Sequence, residues 1–157
     1  MKIAFVTSKG GHSGQIKIIF TNETIGNNDA ILITESEKGI HFKEKYFNGK
    51  FNAYFFEKDV LKFNPFKYLK TMIKLIKIFK KEKVDLVVTN GAQISIPAVI
   101  GAKVAGIKTL FIDTVIRVKT PNWSARACYL FSDKFLVQHE GMKFKYGKKA
   151  EYHGGVI

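Results

Sequence analysis

Ser8-Lys9-Gly10-Gly11-His12-Ser13-Gly14-Gln15 follows the apolar run Lys2-Ile3-Ala4-Phe5-Val6-Thr7 and precedes a second apolar run, Ile16 to Phe20. A buried strand that turns through glycines into a helix is the opening unit of a nucleotide-binding α/β sheet. Glycines let the backbone pass close to a ligand, because no Cβ blocks the approach. The free N–H groups at the start of the next helix then favour an anion. The pattern is neither the strict G-x-G-x-x-G fingerprint nor a P-loop, since the lysine precedes the glycines. His12 is the histidine that local pattern puts at the carboxyl end of a strand, where ligands of open α/β sheets bind.

Working outward, Asp29 to Thr34 and Phe51 to Phe56 are predicted strands, with charged, irregular sequence between them. Phe42, Phe47, Phe51, Phe55 and Phe56 are expected to pack over one sheet edge. Asn64-Pro65 reads as a helix start, with asparagine as cap and proline at the first helical position. The helix is predicted to run to about Glu82. Lys67, Lys70, Lys74, Lys77 and Lys81 fall on one stripe of it, and Leu69, Met72, Ile73, Leu75, Ile76 and Phe79 on the broad opposite face. Val84 to Thr89 is a fully apolar strand of the parallel kind. It ends in Asn90-Gly91-Ala92-Gln93, and Ser95 is expected to cap the following helix, which stops at Gly106. Lys108 to Thr114 is the next strand and carries Asp113. A helix from Trp123 to Phe131 and a strand from Lys134 to Gln138 complete the order. The fold class is therefore α/β: one Rossmann-like, doubly wound, mostly parallel sheet over residues 1–157.

Composition narrows the function. The net charge is +13, which leaves nucleic acid, an anionic membrane and phosphorylated substrates as partners. Eight lysines stand against one acid, Glu82, between Lys62 and Lys83. Like charges at helical spacing oppose each other, so this basic amphipathic helix points to an anionic membrane surface, with Lys67, Lys70, Lys74 and Lys77 as the contacts. The plain alternative is a solvated outer face. Nucleic acid is disfavoured, because the aromatics sit in strand-like runs and no DNA or RNA module motif appears. No signal peptide and no transmembrane helix are read from the chain. The single cysteine, Cys128, reads as a small buried hydrophobe in a reducing cytoplasm. His41, His139 and His153 have no zinc-ligand spacing and are expected to be structural or exposed.

Several stretches together carry a family likeness: Ser8 to His12, Val84 to Gly91 with Ile96-Pro97-Ala98, Lys108 to Thr114, Ile116 to Val118, Ser132 to Gln138, and Tyr152 to Gly155. On these the chain resembles the Alg-fourteen-like and PssD-like proteins, acceptor-side subunits of split GT-B glycosyltransferases that look like the N-terminal half of MurG. The resemblance implies a UDP-sugar donor held mainly by a separate subunit (Alg-thirteen-like or PssE-like), a lipid-diphosphate acceptor, no metal or other cofactor, and work at the cytoplasmic face of a membrane. The chain departs from the family in having Asp113 where glutamate is usual and His139 where tryptophan often stands. It also lacks the membrane-spanning helix that begins eukaryotic members.

Sugar transfer needs a base for the acceptor hydroxyl, and an imidazole suits that task near neutral pH. His12 is the candidate base, or the group that positions that hydroxyl. The plainer alternative is a histidine bonded to a loop carbonyl. Ser8, Gly10 and Gly11 are candidates for an acceptor phosphate, and Asn90, Gly91 and Gln93 for sugar or phosphate. Asp113 is a second catalytic candidate, orienting His12 or a substrate hydroxyl, with helix capping as its alternative. Arg117 has the planar fork that matches a diphosphate. The rival readings are a basic nucleic-acid-binding protein and a stand-alone nucleotide-binding Rossmann protein.

Overall fold

The structure is a computed structural model that describes residues 1–8, 11–19, 26, 28–34, 52–56 and 64–155. The described elements, in order, are β1 (Lys2–Thr7), α1 (Gly11–Ile19), β2 (Asp29–Thr34), β3 (Asn52–Phe55), α2 (Pro65–Lys81) and β4 (Leu86–Thr89). Then come α3 (Ser95–Val104), β5 (Lys108–Ile112), α4 (Trp123–Phe131), β6 (Lys134–Val137), α5 (Glu140–Tyr146) and β7 (Ala150–Tyr152). The seven strands form one sheet in the order β3-β2-β1-β4-β5-β6-β7. Every pairing among them is parallel, where a mostly parallel sheet was expected.

The apolar strand runs follow from burial on both faces. In β1, Ala4 and Val6 join Ile31, Ile33, Leu75, Phe79 and Val87 in one core cluster. Ile3 and Phe5, pointing the other way, pack with Ile16, Leu32 and Val88. A third cluster under α4 and α5 gathers Phe111, Cys128, Phe135, Val137 and Met142. Cys128 is buried as expected, and burial pushes its thiol pKa up. Phe56 is buried against the first cluster, whereas Phe55 is partly exposed. Phe42, Phe47, Phe51 and His41 lie outside the described residues.

The start of α2 is as predicted. Asn64 is extended, and its side chain accepts from the backbone N–H groups of Phe66 at 3.0 Å and Lys67 at 3.4 Å. The apolar face of α2 is only partly covered. Thr71, Leu75 and Phe79 are buried, but Leu69 and Ile73 are 51% and 45% exposed, and Phe66 is 82% exposed. α3 packs close against α2 at Gly101, where a Cβ would stand 3.2 Å from Met72 Cγ. Ser95 does not cap α3. Ile94 holds the cap position with helical backbone and no side-chain bond, and Ser95 is the first helical residue. The end of the chain was not anticipated: α5 and β7 follow β6, and β7 pairs with β6 along Phe135 to Val137.

Candidate active site

The strand order reverses between β1 and β4. From β1 the chain builds outward to β3, and from β4 outward to β7, so the β1/β4 boundary is the topological switch point, where a crevice opens at the carboxyl ends of the strands. β1 and β4 run in register with Val6 opposite Thr89. That pairing sets the turn after β1 beside the turn after β4, although 78 residues of chain separate His12 from Asn90.

The two turns are bonded to each other. His12 Nδ1 lies 2.9 Å from the backbone oxygen of Asn90. A carbonyl only accepts, so Nδ1 carries the proton and donates. The Asn90 carboxamide Nδ2 donates to the backbone oxygen of His12 at 2.5 Å, and its Oδ1 accepts from Thr7 Oγ1 at 2.9 Å. Asn90 is fully buried. Gly91 has φ +110°, and a Cβ there would stand 2.9 Å from His12 Cε1, so the ring lies against bare backbone. Ser95 Oγ ties the same turn from below. It accepts from Gly91 N–H at 3.1 Å and donates to the Gly91 carbonyl, and it lies 2.6 Å from Thr89 Oγ1.

His12 sits in the first turn of α1, whose start is earlier than the apolar run implies. Burial lowers its pKa below the ordinary 6.5, against the opposing pull of the Asn90 carbonyl. The ring is therefore neutral near pH 7, with its lone pair on Nε2. The plain alternative for His12, a bond to a loop carbonyl, is realised at Nδ1, and it leaves the second nitrogen for chemistry.

Asp113 lies just past β5, two strands along the same edge, and is 2% exposed. Burial raises its pKa, while the Thr114 N–H, the Tyr146 hydroxyl and the charges of Arg117 and His139 pull it down. Its Oδ1 accepts from Thr114 N–H at 2.9 Å. Its Oδ2 and the Tyr146 hydroxyl are both buried, and neither makes a hydrogen bond of normal geometry among the described residues. Asp113 is thus not the group that orients His12; the carbonyl of Asn90 is. Gln15, unremarked in the sequence, is buried one turn after His12 and donates from Nε2 to the Asp113 carbonyl at 2.9 Å. Its spacing from His12 on one helix face was the available signal.

Of the other candidates, Ser8 is buried at the end of β1 and Gly11 opens α1. Gln93 is half-buried in the β4 turn and Arg117 is exposed beyond β5. Gly10 lies outside the described residues. His139 donates from Nε2 to the Val115 carbonyl at 2.7 Å, which is a structural role. His153 is exposed and lies 3.0 Å from Glu151. Lys67, Lys70, Lys74 and Lys77 are all exposed on α2, and Lys74 leans over the Phe56 ring at 5.8 Å. Glu82, the one acid of that stretch, faces the sheet. It takes Lys2 Nζ at 2.6 Å and the Tyr54 hydroxyl, so it does not offset the lysine face. No helix among the described residues is long and apolar enough to cross a membrane.

Known proteins share the family and the fold. The family described as "Oligosaccharide biosynthesis protein Alg14 like" matches residues 58–156. A curated relative from Staphylococcus aureus (strain USA300 / TCH1516) is the UDP-N-acetylglucosamine–N-acetylmuramyl-(pentapeptide) pyrophosphoryl-undecaprenol N-acetylglucosamine transferase. It is 32% identical over 93 residues, which is 59% of this chain and 25% of the relative. The chain thus spans about a quarter of the length of the curated relatives it matches. Among solved structures, Acinetobacter baumannii MurG superposes with TM-score 0.77 at 14% identity, over 99% of this chain and 46% of that one. A Rickettsia africae glycosyltransferase superposes with TM-score 0.71 at 18% identity, over 98% and 42%. UDP-GlcNAc 2-epimerase from Neisseria meningitidis gives 0.69 at 13%, over 99% and 47%. At these identities the superpositions establish the fold: a Rossmann-like half of the GT-B kind.

Proposed function

The chain belongs to the Alg14-like family of oligosaccharide biosynthesis proteins, and we propose that it is the acceptor-binding, membrane-associating subunit of a UDP-sugar-dependent glycosyltransferase of the UDP-GlcNAc transferase type. The observation that carries this reading is the histidine at the switch point, neutral near pH 7 with its lone pair on Nε2. The acceptor is a lipid-diphosphate-linked sugar, and a donor-binding subunit of the Alg-thirteen-like or PssE-like kind brings most of the UDP-sugar site.

In this scheme the acceptor hydroxyl lies within reach of His12 Nε2. Its oxygen attacks the anomeric carbon, the bond from that carbon to the UDP oxygen breaks, and the hydroxyl proton passes to Nε2. UDP leaves with the bonding pair, and the configuration inverts. The backbone N–H groups at the start of α1, with Ser8, face the acceptor phosphate. Arg117 supplies a fork for the diphosphate.

The α2 face supports the membrane part. Phe66, Leu69 and Ile73 are exposed in one apolar line, with lysines beside them and no compensating acid. Such a helix lies in the interface, apolar residues among acyl chains and lysines at anionic headgroups. An apolar cavity of about 260 Å³ lined by Pro65, Tyr68, Ile96 and Trp123 opens between the first turns of α2, α3 and α4, beside that face. The working place is thus the cytoplasmic surface of a membrane.

The test is co-expression with a donor-binding partner and transfer of labelled GlcNAc from UDP-GlcNAc to a polyprenyl-diphosphate sugar. Transfer by the pair, with sedimentation on anionic vesicles, is expected. A chain that ignores such vesicles but binds nucleic acid with a steep salt dependence would sink the reading in favour of a nucleic-acid-binding role.

A further inference from the structure

We propose that Asn90 is the positioning residue of His12: its backbone carbonyl selects the ring tautomer and its carboxamide locks the two turns at that distance. The role rests on His12 being the base of the preceding scheme only for its consequence in turnover. The geometry stands on its own.

Three bonds converge on this one residue. The Asn90 carbonyl holds the Nδ1 proton of His12, which forces the lone pair onto Nε2. If the ring took the other tautomer, two lone pairs would face each other across 2.9 Å. The carbonyl can do this only while the β4 turn stays fixed relative to α1. The carboxamide supplies that fixity. Nδ2 donates to the backbone of His12 itself, and Oδ1 is held by Thr7 on β1. Asn90 therefore clasps the histidine by ring and backbone at once, while anchored to the strand that delivers it. A residue that is fully buried, with both ends of its amide engaged inside the protein, is not placed to bind sugar. No other neutral side chain of this size offers a donor and an acceptor at these two ends: aspartate has no donor, and leucine has neither.

Gly91 completes the arrangement. A side chain there would enter the ring's space at 2.9 Å from Cε1, so the imidazole needs glycine on that side. The ring is thus bounded by a carbonyl at Nδ1 and by Gly91 beside Cε1, with Nε2 as the remaining polar atom.

The test uses the full chain with ring-15N-labelled histidine, the His12 signals being identified by their loss in His12→Gln. In the wild type at pH 7 the long-range proton–nitrogen spectrum is expected to show a neutral ring protonated on Nδ1. Asn90→Asp, which keeps size and the Thr7 contact but loses the Nδ2 donor, and Asn90→Ala should both shift that spectrum toward a mixture of tautomers. Thr7→Val, acting at the far end of the clasp, should shift it less in the same sense, and it carries the test if Asn90→Ala fails to fold. In the assembled transferase, Asn90→Asp should lower kcat by about 10²-fold, the scale of a misplacement near 1 Å, with KM nearly unchanged. A wild-type ring protonated on Nε2 overturns the proposal, as do folded variants that keep the wild-type ring spectrum. If the spectra behave as expected while His12→Gln keeps full turnover, the clasp stands and the assignment of His12 as base falls.

Discussion

The paired turns after β1 and β4 and the outer face of α2 are built on opposite plans. At the turn, nearly every polar atom is held: Thr7, His12, Asn90, Gly91 and Ser95 form one buried set of bonds across two strands. On α2 the polar atoms are loose. Six lysines stand on an exposed helix with three large apolar residues between them, and the nearby acid is taken up by Lys2. A site that must move a proton needs fixed geometry, and a fixed geometry is made from bonds to backbone. A surface that must meet a fluid layer needs charge and apolar area at the right depth, and gains nothing from fixed partners. On the proposed function the contrast separates chemistry from attachment, and each can be broken alone.

The largest expected effect is at the turn. His12→Ala should cut transfer by about 10²–10⁴-fold, the usual contribution of a positioned base, while vesicle binding stays at the wild-type level. Equal loss of both would erase the division between the two regions. The pH profile sharpens it further. Only neutral His12 accepts a proton, and burial holds its pKa below 6.5. The acid limb of kcat/KM should therefore be centred below pH 6.5. An acid limb centred above 6.5 would show that the base is another group.

Next come the lysines. Changing Lys67, Lys70, Lys74 and Lys77 to glutamine should weaken binding to anionic vesicles by about 10³-fold, at about 1 kcal/mol per lysine near the surface, less whatever Lys74 spends on the Phe56 ring. Lowering the salt should strengthen vesicle binding of the variant less than that of the wild type, because it carries fewer charges to be screened. Phe66→Ser should cost about 10–100-fold in the same assay, the worth of burying one aromatic side chain. Folding stability should change by no more than about 0.5 kcal/mol, because Phe66 is 82% exposed and supports no core. A large loss of stability would mean that the apolar line serves the fold and not a membrane.

Much of this was legible in the chain. The strands from Lys2 and from Asp29, the cap at Asn64 and the helix from Trp123 to Phe131 follow from local signals: apolar runs, an asparagine before a proline, turn residues at the ends. What local signals could not carry was partnership. Asn90 read as a ligand-binding turn residue, because nothing nearby announces that Thr7 stands beside it; only the β1–β4 pairing does that. Asp113 shares a sheet edge with His12 on any reading of the chain, yet the whole width of β4 lies between the ends of β1 and β5. Periodicity puts Leu69 and Ile73 on the apolar arc of α2 without saying how much of that arc a neighbour covers. α5 and β7 escaped because two turns and three residues are too short to show a period.

The smallest effect tests how tightly the turn is wound. Ala92 follows Gly91 with φ +62°, in the left-handed region that costs an L-residue roughly 1–2 kcal/mol. Glycine removes that cost but gives the unfolded chain more freedom, about 0.4–1 kcal/mol in the opposite sense. Ala92→Gly should therefore stabilise the protein by about 0–1.6 kcal/mol, read as a raised denaturation midpoint with an unchanged slope. The comparison with Gly91→Ala is the informative one. There the same methyl meets the His12 ring at 2.9 Å as well as an unfavourable φ, so stability and the His12 ring spectrum should both suffer. If Ala92→Gly instead destabilised the chain, the turn would owe its shape to contacts of the Ala92 methyl, and the bonds through Asn90 and Ser95 would not be sufficient to hold it.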